Sequence, residues 1–164
     1  MKPARPDADY FSRQVTSTRR FYYPDWKQRR SASVATLVGG GCEWCAPDFV
    51  IDRKRFPFLA LEFVWRGRGT VVLKGVRHRV SAGSVFLFDA AVPHDIESDP
   101  EAPLVKFFFN FHGPAIRRLV QQLQLKPGDL WRVSDPARVS ELMEEGIDHA
   151  LAGTRMGDAA AAQA

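Results

Sequence analysis

Six side chains in this sequence offer nitrogen or sulfur to a metal: His78, His94, His112, His149, Cys42 and Cys45. A catalytic metal needs imidazole and carboxylate groups that converge on one ion. The spacing is poor for that. His78 stands between two arginines in RHRV, His112 ends an aromatic run beside a glycine, and His149 falls in a helical stretch. Cys42 and Cys45, in GGGCEWC, lack the second short-spaced pair of a zinc knuckle. On an extended strand their Cα atoms would lie about 10 Å apart, beyond the roughly 7 Å that a disulfide allows. Two buried thiols are expected. His94 remains, in AGSVFLFDAAVPHDIESDPEAP, residues 82–103. It is a metal ligand, a pocket side chain, or a ring that hydrogen-bonds a loop backbone.

The alternative chemistry is recognition of an organic molecule. Period two puts His94 and Ile96 on one strand face. In LVKFFFNFHG it puts Lys106, Phe108 and Asn110 on one face and Phe107, Phe109 and Phe111 on the other. A lysine between phenylalanines must reach solvent or a polar partner, because an unpaired buried charge is costly. A ligand is one such partner. Arg53 follows the apolar run FVI, and its planar fork suits carboxylate or hydroxyl groups. Asp48 or Asp52 can occupy it instead. Glu62, in LALEFVW, is a pocket acceptor or a partner to Arg66 or Arg68. Trp44 and Trp65 offer stacking faces for a sugar ring or fill the core.

These residues need a scaffold, and residues 31–112 read as strands throughout. SVATLVGG ends at three glycines, Pro57 precedes FLALEFVWRGRG, and Lys74-Gly75 joins the two halves of GTVVLKGVRHRVSAG as in a hairpin. Many short strands punctuated by Gly and Pro predict a closed barrel or double-sheet jelly roll. The period then changes. GPAIRRLVQQLQL carries Ile116, Leu119, Val120 and Leu123 on one helical stripe, with Pro114 near its start. LKPGDLWRV interrupts. SDPARVSELMEEGIDHALAG predicts a second helix, capped by Asp135 and ended at Gly153. The short GDAAAAQA reads as the start of a helix cut from a longer protein.

The chain has 164 residues, 45% hydrophobic and 26% charged, which suits one domain with appendages. No apolar run reaches the 18 residues of a membrane span. The first residues have no apolar signal region, so the expected compartment is the cytoplasm. The net charge is +4, yet residues 1–30 alone hold eight Lys/Arg against three Asp. The basic excess therefore lies in an N-terminal arm, either a solvated tail or a segment that sits near phosphates.

Residues 52–113 resemble the ligand-binding domain of AraC-type transcription regulators. The segments that carry the likeness are IDRKRFPFLALEFVWRGRGTVVLKG, VSAGSVFLFDAAVPHDIESDP and LVKFFFNFHG. Their order is that of the family: a strand ending in Gly-x-Gly, an apolar strand and turn leading to Val-Pro-His, an acid/Pro loop, and an aromatic strand ending in Phe-x-Gly. The turn reads Asp89-Ala90-Ala91 where the family usually has Pro-Pro-Gly or similar. The resemblance implies a mainly β double-stranded β-helix, a cupin-like jelly-roll barrel, followed by a small C-terminal α-helical layer. It divides the chain into an arm (1–30), a ligand-binding barrel (31–113), a helical dimerisation region (114–153) and a truncated helix or linker (154–164). The helix-turn-helix DNA-binding domain of such regulators is not in this chain. The implied role is to sense a small polar effector, with a sugar or sugar acid as the leading class, and to form a homodimer. By resemblance the effector-binding positions are Arg53, His94, Ile96, Lys106 and Phe108, with no cofactor and no catalytic residue. The rival is a metal-dependent cupin enzyme, an isomerase or dioxygenase. A third reading, a ligand-free dimerisation module, predicts a barrel plugged by Phe and Trp.

Overall fold

The computed structural model describes residues 11–28 and 35–161, with side chains to residue 153. In chain order the strands are β1 (Val15–Tyr22), β2 (Thr36–Cys45), β3 (Val50–Arg53), β4 (Leu59–Arg66), β5 (Arg68–Leu73), β6 (Val76–Ser81), β7 (Ser84–Phe88), β8 (His94–Ser98) and β9 (Val105–His112). A single 3-10 turn, Pro24–Lys27, follows β1. Helix α1 (Pro114–Gln122), strand β10 (Leu130–Arg132) and helix α2 (Pro136–Ala161) complete the order. The strands form two antiparallel sheets. The larger runs β1-β2-β9-β4-β7-β10 and the smaller β3-β8-β5-β6. The architecture is mainly β, a cupin-like double sheet followed by helices.

Alternation explains the layers. From the larger sheet Ala60, Val64, Phe86 and Phe88 point inward to meet Ile51, Val71, Leu73, Val80 and Ile96 of the smaller one. The opposite parity of the same strands, Phe63, Val85 and Phe107, packs under Met143, Ile147 and Ala150 of α2. Helix α1 covers Leu59 and Leu87 with Val120. Strand β7 is apolar at every position except Ser84 because both of its faces are covered.

Local chemistry fits the expected hairpin and caps. Lys74 and Gly75 take positive φ angles of 51° and 80°, as a two-residue type I′ turn requires. Pro114 sits in the first turn of α1. The Asp135 side chain accepts the Arg138 backbone N–H at 3.0 Å, capping α2. Cys42 and Cys45 lie on β2, buried and free, one packed under α2 and the other in the inter-sheet core.

Three boundaries differ from the sequence reading. Residues 15–22, within the segment assigned to the arm, form β1 and extend the larger sheet through seven paired positions. Strand β10 lies inside the interruption LKPGDLWRV, paired with β7. Helix α2 does not stop at Gly153 but runs on through residues 154–161. A Cβ at Gly153 would sit 3.9 Å from Tyr23 Oη, and Tyr23 Oη donates to Ala150 O at 3.3 Å. A Cβ there would make only ordinary van der Waals contact, so Gly153 neither ends the helix nor is required by packing. The basic residues Lys2, Arg5, Arg29 and Arg30 lie outside the described residues.

Candidate effector site

Strand register builds a buried polar cluster inside the apolar double sheet. Glu43 of β2 pairs directly opposite Lys106 of β9. Lys106 in turn lies opposite Val64 of β4, so Glu62 is its diagonal neighbour on the same inward face. The Lys106 ammonium sits 2.8 Å from a carboxylate oxygen of each. All three residues are buried. Burial by itself lowers the Lys106 pKa, but the two carboxylates outweigh it and hold the ammonium above the usual lysine range. Burial pushes the Glu62 carboxyl up, against the pull of Lys106. Phe49 and Phe108 place ring faces 5.6 and 5.3 Å from the ammonium.

Arg53, at the end of β3, faces this cluster from the smaller sheet. Its guanidinium lies 5.0 Å above the Phe56 ring. Among the described residues it has no ion pair. Asp52 pairs with Lys54 at 3.0 Å instead. Burial lowers the Arg53 pKa, and the nearby Glu62 and Glu43 oppose that. His94 pairs with Arg53 across β3 and β8. Its Nδ1 lies 3.1 Å from Val92 O, and its ring stacks on Phe88 at 3.7 Å. Its Nε2 is buried without a hydrogen-bond partner among the described residues. Burial pushes the imidazole down to about 4, despite the Val92 carbonyl, so the ring is neutral near pH 7.

Between these groups lies a cavity of about 10 Å³, lined by Arg53, Lys106, Phe108, Glu43, Glu62 and Asn110 among others. It has room for about one water. Residues 11 and 12 close it. Phe11 packs edge-on against Phe108 at 5.9 Å, and Ser12 lines the cavity. Arg20 of β1 holds this lid. Its Nη1 donates to Ser12 O at 3.0 Å and lies 3.5 Å from Glu43 Oε1, and its guanidinium covers the Phe11 ring at 4.9 Å. Gln14 anchors the base of the lid. Its side chain donates to Asp48 O and accepts from Val50 N. Outside the lid an open groove of about 500 Å³ runs between residues 11–14 and 50–53, with Arg53 in both spaces.

Residues 40–164 match the family model described as the AraC-like ligand binding domain. The chain belongs to that family. The fold is similar to YhaK from Escherichia coli (TM-score 0.54, 15% identity, covering 74% of this chain and 53% of that one). It is also similar to ToxT from Vibrio cholerae (TM-score 0.51, 13% identity, covering 63% of this chain and 46% of that one). The chain spans about half the length of each. No curated protein matches the sequence.

Within this AraC-like domain, Arg53, Lys106 and Phe108 line the cavity. His94 and Ile96 share its inward side, but Ile96 packs in the apolar core. His94 makes the loop-backbone contact that was one of its alternatives. Trp44 is 38% exposed, and Trp65 packs in the cluster beneath α2, so neither faces the cavity. Sequence reasoning missed Glu43, hidden between the cysteines of GGGCEWC. A signal existed: a lysine facing inward demands a carboxylate on a neighbouring strand, and Glu43 is on β2 at the matching register. Phe11 and Ser12 carried no such signal. Among the described residues no three His, Cys, Asp or Glu side chains gather to hold a metal ion. Lys106 occupies the space between the two buried carboxylates.

Proposed function

We propose that this AraC-like domain senses a small polar effector at the cavity beneath residues 11–14, as the non-enzymatic regulatory part of a cytoplasmic transcription regulator. The observation that carries the reading is the buried Lys106–Glu43–Glu62 cluster beside Arg53, which has no ion pair among the described residues. A buried ion pair usually stabilises a fold no better than apolar residues of similar volume. A barrel that served only as a scaffold would not need three charges inside it. With Phe11–Arg13 swung away, Arg53, Asn110 and the carboxylates would face one connected space suited to hydroxyl and carboxylate groups. A sugar or sugar acid is the class we favour, with Arg53 on its acidic or hydroxyl end. His94, Ile96, Lys106 and Phe108 would form the rest of the pocket wall.

The domain is proposed to act as a homodimer, through exposed Leu119 of α1, Leu123 just beyond its end and Leu142 of α2. The two-fold symmetry would match paired DNA half-sites read by a helix-turn-helix domain outside this chain. In domain terms, the arm proper would be the residues before β1, the barrel would run to residue 113, and the helices would supply the interface. One observation favours the ligand-free reading: the inter-sheet core is filled by Phe49, Phe56, Phe58, Phe86, Phe88 and Trp26. A thermal-shift panel of neutral sugars and their uronic acids separates the two. The sensor reading expects a stabilising sugar or uronate whose shift is lost in Arg53→Ala. A panel without any stabilising compound would favour the plugged scaffold.

A further inference from the structure

We propose that the outer face of the four-stranded sheet is a self-association surface for a second copy of this chain. The inference is independent of the effector reading. Helices α1 and α2 pack on the outer face of the larger sheet, whereas among the described residues no helix covers the smaller one. Val71, Leu73, Val80 and Ile96 point into the core, so their strand neighbours point out. Register sorts those neighbours by charge. Thr70 lies between Arg79 on β6 and Glu97 on β8, and Val72 lies between Arg77 and Asp95. Asp52 on β3 lies opposite Asp95 and continues the acidic side, with its own charge met by Lys54. The face therefore carries a basic stripe on β6 and an acidic stripe on β8 and β3, both parallel to the strands. Arg77, Arg79 and Glu97 have no ion pair among the described residues, whereas Arg68 is held by Asp99 at 2.7 Å.

This polarity selects the occupant. The acidic stripe would repel a nucleic-acid backbone and an acidic membrane surface alike. A second copy turned about a two-fold axis parallel to the strands presents acid to base and base to acid at once. That is the self-complementarity an isologous contact needs. A groove of about 660 Å³ between the arginines and the Asp99–Pro100 turn opens on the same face. The same rotation brings the partner's turn over the basic flank of that groove. Four strands spaced about 4.8 Å apart give a footprint of only a few hundred Å² per copy. A standard interface buries roughly 800 Å² per partner. The contact is thus weak, and salt screens it.

Sedimentation velocity of the chain at about 50 mM and about 500 mM NaCl tests this, since screening rises steeply across that range. The wild type is expected to form a larger species only at low salt. R77E/R79E and D95K/E97K should each weaken that association at least about tenfold. An equimolar mixture of the two variants should regain it. The proposal is overturned if the wild type shows no salt-sensitive species, if either folded variant keeps it, or if the mixture does not restore it. Thermal melts check the folding of each variant. If a variant does not fold, R77Q/R79Q and D95N/E97Q take its place, each expected to lose the low-salt species. Association through the helices lies on the opposite face and would survive all these substitutions.

Discussion

At the scale of single residues, the interior holds one charged cluster and one neutral imidazole, and these respond differently to acid. His94 is buried, and its pKa falls from 6.5 to about 4 because burial disfavours the charged ring. In the unfolded chain the ring takes up a proton near pH 6.5. A depressed folded-state value means that the stabilising contribution is complete above about 6.5 and is lost as pH falls towards 4. By pH 5 this one group should cost about 2 kcal/mol of folding stability. Urea unfolding of the wild type and of His94→Gln at pH 7 and pH 5 measures it. The variant should lose less stability on acidification by that amount. An equal loss in both would mean that His94 is not the titrating group. The inward face of β9 could be read from the alternation of LVKFFFNFHG, and Arg53 from its place after FVI. For Glu43 the inward lysine signals only that a carboxylate is needed on a neighbouring strand; the β2–β9 register that selects Glu43 is encoded by no local pattern.

At the scale of elements, the three glycines of β2 do more than end a strand. A Cβ on Gly41 would lie 2.4 Å from Arg19 O and 2.9 Å from Arg20 Cα. Both atoms are backbone of β1, so they cannot move aside as a flexible side chain does. A Cβ on Gly40 would lie 2.2 Å from Phe109 Cδ1. Gly41→Ala should therefore push β1 away from β2, at a cost of about 1–3 kcal/mol. Hydrogen exchange is the direct readout, with faster exchange expected at amides of residues 15–22 and unchanged exchange in β5 and β8. Uniform exchange across the sheet would show that β2 tolerates the methyl group. This packing also explains why β1 was read as arm. VTSTRRFY has only Phe21 fully buried, and its arginines are used sideways. Arg19 pairs with Glu144 at 2.6 Å and with Asp148, tying β1 to α2. The helices were easier to read because their stripes are long. Strand β10, at three residues, is too short for any period to register.

At the scale of the whole molecule, the two sheets, the helices and residues 11–14 divide the work. The larger sheet carries Lys106, Glu43 and Glu62, and the smaller carries Arg53 and His94. The cavity exists only where both faces meet. Its closure rests on few contacts: the Phe11 ring, and Ser12 O held by Arg20. Gln14 is pinned to residues 46–50 by three hydrogen bonds, so motion of the lid would pivot there. A ligand that binds only the open state shifts the lid by its differential affinity for the two states. Removing residues 1–13 should mimic that open state without any ligand. Phenylglyoxal, which modifies accessible guanidinium groups, reports on it by peptide mass spectrometry. Arg53 should react several-fold faster in the shortened chain, because it loses the cover of residues 11–13. Arg77 and Arg79, exposed on β6, should react at the same rate in both chains and serve as internal references. If Arg53 reacts equally fast with residues 1–13 present, those residues do not gate the cavity. The proposed effector control would then have to run through the cluster and the helices alone.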